Sequence, residues 1–170
     1  TTVTLYGGTD YTLANAAISA NYYSPVKAPF GFPLSPAKWT VSITDSSSRG
    51  QASPVNGTWY NLGSLSIAIP LGIWYVSYQV VLRGDRSIGT TRAWSTLSTA
   101  NNSESDTQFT CFTGTDGATS IDTVNRGKAL ILAASTTYYL NAKVSLDSHE
   151  NLYFSNDTAP LMLSATNACL

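Results

Sequence analysis

The sequence predicts an all-β fold, an antiparallel jelly-roll sandwich of about nine or ten strands, and three observations carry that prediction. Short runs alternate apolar and polar residues, clusters of Gly, Asn, Ser and Asp separate them at spacings of about 8 to 15 residues, and no long run has helical periodicity. The alternation is clearest in 64–83, SLSIAIPLGIWYVSYQVVLR, where Leu65, Ile67 and Ile69 alternate with Ser64, Ser66 and Ala68 before Pro70 and Gly72 turn the chain. In the second half Trp74, Val76, Tyr78, Val80 and Leu82 share one face, the period of two expected of a strand with a buried side. Ile73, Tyr75 and Val81 place apolar bulk on the other face. An antiparallel strand exposed to water is normally polar there, so that second face calls for a cover, either another layer or a neighbouring subunit.

The elements follow in order. Residues 1–21, TTVTLYGGTDYTLANAAISAN, lack a core of their own and are assigned to a shaft end or linker, leaving 22–170 as the jelly-roll domain. The next run holds Pro25, Pro29, Pro33 and Pro36, and proline cannot supply ladder hydrogen bonds inside a sheet. Regular strands are expected from Trp39 through Ile43, then a loop over 45–57, DSSSRGQASPVNG, and a strand over 58–62. Beyond the 64–83 pair, GDRSIG is assigned to a loop, TTRAWSTLST to a strand, NNSESD to a polar turn and 108–113 to a strand. SIDTVN is a further pairing segment, KALILAA an apolar run, and TTYYLNAKVSL a strand with Tyr138, Leu140, Ala142 and Val144 on one face. Residues 147–157 form a polar excursion interrupted by Leu152, Tyr153 and Phe154, and PLMLSATNACL closes the chain. Successive loops of a jelly roll alternate ends, so GDRSIG and NNSESD are expected at opposite ends.

At 170 residues one domain has enough interior to fold without metal or disulfide support. Charged residues make up 11% of the chain, against roughly 25% in an ordinary soluble domain, and Thr, Ser, Asn, Gly and Tyr take their place. Such polar, uncharged surfaces suit extracellular or viral structural proteins. A net charge of −1 lacks the basic footprint that nucleic-acid binding needs, and no apolar run of about 18 residues is present to span a membrane as a helix. The chain starts at Thr1 without a charged-then-apolar leader and is taken as part of something longer. Cys111 and Cys169 lie far apart in strand-like runs and are assigned as buried free thiols, the alternative being a disulfide between strands.

Catalytic chemistry is thinly supplied, and the chain is expected not to be an enzyme. His149 is the only histidine, between Asp147 and Glu150, and is assigned to a solvated loop because no nucleophile elbow or second pair of metal ligands accompanies it. Glu104 and Asp106 are the nearest carboxylate pair that could hydrolyse a glycosidic bond, but they lie in a polar turn. No metal and no cofactor is expected. Saccharide recognition fits the composition better, because sugars offer apolar ring faces and hydroxyls to aromatic and polar side chains. The candidates are Trp59 beside Asn56, Asp85 with Arg86, Trp94 with Arg92, and Asn101 with Asn102. Sequons at Asn56, Asn101 and Asn156 would matter only in a secretory source.

The sequence Ile69, Pro70, Gly72, Trp74 and Tyr78 resembles the central strand pair of the trimeric jelly rolls of the tumour necrosis factor and complement globular-head superfamily. The segments STLSTANNSESD and TTYYLN, with the Thr/Asn/Ser-rich surface, look like the carboxy-terminal domains of bacteriophage tail fibres, tail needles and tailspikes. That resemblance implies a homotrimeric tip in the virion that helps assembly and attaches to a host surface glycan or lipopolysaccharide. Its interface candidates are Ile73, Tyr75, Val81 and Tyr139. The alternatives are a secreted carbohydrate-binding or cytokine-like sandwich, and a trimerisation domain without a ligand.

Overall fold

The computed structural model describes residues 40–145, 148–156 and 159–167. The expectations for the extension, the proline-rich run, Trp39 and Cys169 lie outside the described residues. The strands are β1 (Thr40–Asp45), β2 (Arg49–Ala52), β3 (Ser66–Ile69), β4 (Gly72–Arg86), β5 (Thr91–Ser98), β6 (Cys111–Thr115), β7 (Thr119–Leu132), β8 (Thr136–Val144), β9 (His149–Ser155) and β10 (Leu161–Asn167). Every pairing among them is antiparallel.

The first sheet runs β1-β10-β4-β9-β2 with β7 on the other side of β4, and the second runs β3-β8-β5-β6. With β2 and β9 set aside, eight strands remain, and they pair first with last, second with seventh, third with sixth and fourth with fifth: β1·β10, β3·β8, β4·β7 and β5·β6. This nested pairing is a jelly roll. The 15-residue β4 serves two neighbours along one edge, β10 opposite Trp74 to Gln79 and β9 opposite Val81 to Arg86, while β7 lines its other edge from Gly72 to Asp85. The corner at 70–72 turns as the sequence indicates, and Gly72 has φ 131°, a region that side chains strain to enter.

The core is the set of residues the alternation picks out. Trp74, Val76, Tyr78, Val80 and Leu82 of β4 meet Ile67 and Ile69 of β3 and Leu140, Ala142 and Val144 of β8, all buried. Tyr78 is the one polar insertion among these. Its hydroxyl donates to the Phe109 carbonyl at 2.8 Å and lies 3.1 Å from the Ser95 hydroxyl, and burial pushes its ionisation far above the usual tyrosine value.

Several segments differ from the sequence reading. β2 lies within the assigned 45–57 loop because RGQA has no alternation and gains its order only by pairing with β9. The expected strand at 58–62 is reduced to a single bridge between Tyr60 and Ala142, followed by a 3-10 turn at Leu62–Ser64. SIDTVN and KALILAA fuse into the continuous β7, which follows β4 rung for rung. The polar excursion contains β9, whose Leu152 and Phe154 are core residues, so His149 is no solvated loop residue: it is 5% exposed, opposite Arg86 in the ladder. The loops 87–90 and 99–106 lie at opposite ends of β5, as expected.

Candidate functional site

The two outward faces of the sandwich carry different chemistry. On the second sheet, Lys143 of β8, Trp94 of β5 and Phe112 of β6 occupy one rung, since Trp94 pairs with both of the others. Trp59 joins the row from the preceding loop, anchored by the Tyr60–Ala142 bridge. The Lys143 ammonium lies 4.4 Å from the Trp59 ring centre and 5.8 Å from that of Trp94, and the Trp94 and Phe112 rings are 4.9 Å apart. A cation held over indole faces contributes about 0.5–1 kcal/mol at an exposed site, a modest restraint on the two indoles. Arg92 lies one rung further along β5, opposite Gly114, and is exposed. A hollow of about 180 Å³ opens there, lined by Thr90, Arg92, Phe112, Gly114, Thr115 and Asp116.

An asparagine clamp bounds this face on the other side. The fully buried Asn141 accepts from the Asn102 amide at 3.2 Å and donates to the carbonyls of Ala100 and Ser103 at 3.0 and 2.7 Å. Asn102 in turn accepts from the Asn61 amide at 2.6 Å. The clamp lays the 99–105 loop over the lower rungs and leaves the Trp94 and Arg92 rungs open. Glu104 and Asp106, weighed above as a carboxylate pair, serve this loop: Glu104 accepts from the Thr110 hydroxyl and Asp106 pairs with Lys128.

Trp59, Trp94 and Arg92 therefore come together, while Asp85 and Arg86 do not join them. Both lie on β4 rather than in a loop, because that strand continues to Arg86. Asp85 is 8% exposed and accepts from Arg83 Nε at 3.0 Å. It lines a separate polar cleft of about 280 Å³ with Ser48, Arg83, Asn151, Tyr153 and Ser155. Arg86 Nη1 donates to the Thr90 carbonyl at 2.7 Å and so braces the 87–90 loop. Lys143 and Phe112 are missing from the sequence candidates. Phe112 follows Cys111 in a short run with no strong alternation, and only the β5·β6 register sets it beside Trp94.

The first sheet presents a flatter surface. Ile73, Tyr75, Ser77 and Gln79 of β4 are flanked by Ile131, Ala129, Gly127 and Asn125 of β7 and by Thr166, Ser164 and Met162 of β10. No charged residue occupies these rungs. Ile131, Tyr75 and Met162 are 83%, 51% and 42% exposed, and Tyr75 lies across Gly127, where a Cβ would come within 2.8 Å of its hydroxyl oxygen. Two interface candidates are corrected. Val81 shares the face but is 2% exposed, where β9 takes over from β10. Tyr139 is on β8, paired with Ser66 and Ser98 in the other sheet, so it cannot join a patch with Tyr75.

Among the described residues no group of three or more His, Cys, Asp or Glu is placed to hold a metal ion, and Cys111 is a free thiol. No helix among them is long and apolar enough to cross a membrane. No protein-family model and no curated protein matches the chain. Among solved structures, the VP2 subviral particle of infectious bursal disease virus is similar at a TM-score of 0.39 and 15% identity, over 77% of this chain and 37% of that one. The chain thus spans little more than a third of that protein's length.

Proposed function

We propose that this chain is the non-enzymatic, homotrimeric tip domain of a viral tail fibre, needle or spike, which locks three copies together and attaches to a host surface. The observation that carries the reading is the charge-poor patch on the outer face of the first sheet, with Tyr75, Ile131 and Met162 exposed among Ser, Thr, Ala and Gly. Burying such a face against copies of itself removes apolar area from water at about 25 cal/mol per Å², and it leaves few charges to desolvate, Arg126 beside Tyr75, Gln79 and Met162 being one. The aromatic row on the opposite sheet would remain free for a ligand. Three weak sites on one trimer would then bind a surface far more tightly than one.

Light scattering on a sizing column at low micromolar concentration tests the assembly, with an expected mass three times the 18.1 kDa of the chain. Tyr75→Arg, which puts a charge at the middle of the face, should return the protein to a monomer that still melts cooperatively, at a lower temperature because the stabilisation from association is lost. A monomeric parent chain would overturn the trimer and favour a second reading, a secreted carbohydrate-binding sandwich, for which the row of Trp59, Lys143, Trp94 and Phe112 speaks. A trimer whose exposed loops and aromatic row can all be substituted without loss of attachment would instead be a trimerisation domain alone.

A further inference from the structure

We infer that the ledge formed by Phe112, Gly114, Arg92 and Asp116 is a binding site for a single acidic sugar ring, the ring stacking on Phe112 and its carboxylate pairing with Arg92. The inference rests on the attachment role proposed above, but not on the trimer.

The platform comes first. A Cβ at Gly114 would lie 2.8 Å from Phe112 Cζ and 3.2 Å from its Cε2, so the ring rests directly on the strand backbone at a position where any larger residue would lift it. One face is thus turned inward and the other outward, and the residue is 53% exposed. Trp94 abuts the ring at 4.9 Å and is itself held by Lys143. A flat, braced and exposed aromatic ring is the surface on which the apolar face of a pyranose stacks, and bracing it in advance reduces the ordering cost of binding.

The polar groups decide what kind of sugar. Arg92 extends from the rung beside the platform, and among the described residues its guanidinium has no ion-pair partner. Its planar fork matches a carboxylate with two parallel hydrogen bonds. Lys143, a diagonal neighbour across the β5·β8 ladder, is held over Trp59 and Trp94 and does not line the hollow. Asp116, at the opposite rim, accepts only a long 3.4 Å bond from Thr90 and offers acceptors to sugar hydroxyls. Arg92 is the one cation in the lining of the hollow, and its fork selects a carboxylate among the groups a sugar can carry. The hollow of about 180 Å³ falls below the ~300 Å³ at which drug-sized pockets begin, which limits it to one ring at the end or side of a chain.

The test is a titration of the full chain with trigalacturonic acid, and with maltotriose as the neutral control, followed by calorimetry and by tryptophan fluorescence, to which Trp94 contributes as one of four tryptophans. The acid is expected to bind at millimolar or lower concentration with a fluorescence change, and maltotriose about tenfold more weakly. Phe112→Ala should weaken both sugars about tenfold. Arg92→Gln should remove the preference for the acid while leaving the neutral sugar unaffected. Both residues are exposed, and a thermal melt confirms that each variant is folded. No response to the acid, equal affinity for the two sugars, or binding that survives Phe112→Ala would overturn the inference. So would a change of mass with Phe112→Ala in a protein that ignores both sugars, since the ledge would then be a protein contact. Mass separates the two proposals: a trimer silent to the acid overturns the site alone, and a monomer that binds it overturns the trimer alone.

Discussion

At the scale of single residues, Tyr78 shows how a polar group can hold a core together. Its ring belongs to β4 in one sheet, and its hydroxyl reaches Ser95 of β5 in the other and the carbonyl of Phe109. Tyr78→Phe keeps the ring and removes the one donor these acceptors share. It should therefore cost about 1–3 kcal/mol, the penalty for stranding buried polar partners, read as a lower urea midpoint with an unchanged slope. The same hydroxyl will not titrate below strongly alkaline pH, because burial opposes the phenolate.

At the scale of elements, ion pairs fasten short pieces that have little intrinsic order. Asp106 caps the 3-10 turn Thr107–Phe109 by accepting from the Gln108 amide at 2.9 Å, and its pairing with Lys128 ties that turn to β7. The Lys128 hydrogen bond holds the Asp106 carboxyl below its ordinary value of 3.8, as Arg49 does for Asp45 beside β2. A depressed folded value means that the unfolded chain takes up protons first as the pH falls. Stability from both pairs is thus complete above pH 3.8 and is lost below it as the folded carboxylates protonate. Melts between about pH 5 and pH 3 should show the loss, and Asp106→Asn should flatten part of the slope by up to about 1 kcal/mol.

The same elements mark where sequence reading succeeded. β3, β4, β5, β8 and β10 were legible because Ile67, Val76, Leu97, Leu140 and Leu163 each repeat at two-residue spacing toward one core. β2 and β9 were not, since their order comes from each other and from the far end of β4, a partner that no local pattern names. The site divides in the same way. Trp59, Trp94 and Arg92 stood out by residue type, whereas Lys143 and Phe112 entered through cross-strand register, and Asp85 and Arg86 were misplaced once β4 proved longer than its apolar run.

At the scale of the whole molecule, the sandwich separates a charge-poor patch on one sheet from a row of cations and aromatics on the other. Salt should tell them apart. Raising ionic strength from about 0.05 to 0.5 M shortens the screening length to a few ångströms, so binding of an acidic sugar should weaken while the mass of an assembly built on Tyr75 and its neighbours stays constant. Sizing runs and titrations at both strengths check this. The register of β1 against β10 adds a mechanical consequence. Thr40 pairs with Thr166 and Asp45 with Leu161, so the outer ends of these two strands emerge side by side. Tension applied between positions 40 and 167 would part the ladder one rung at a time, like a zip, with each hydrogen bond loaded alone. A tip that must withstand pulling is therefore better served by spreading the force across broad sheet faces than by passing it along its own backbone.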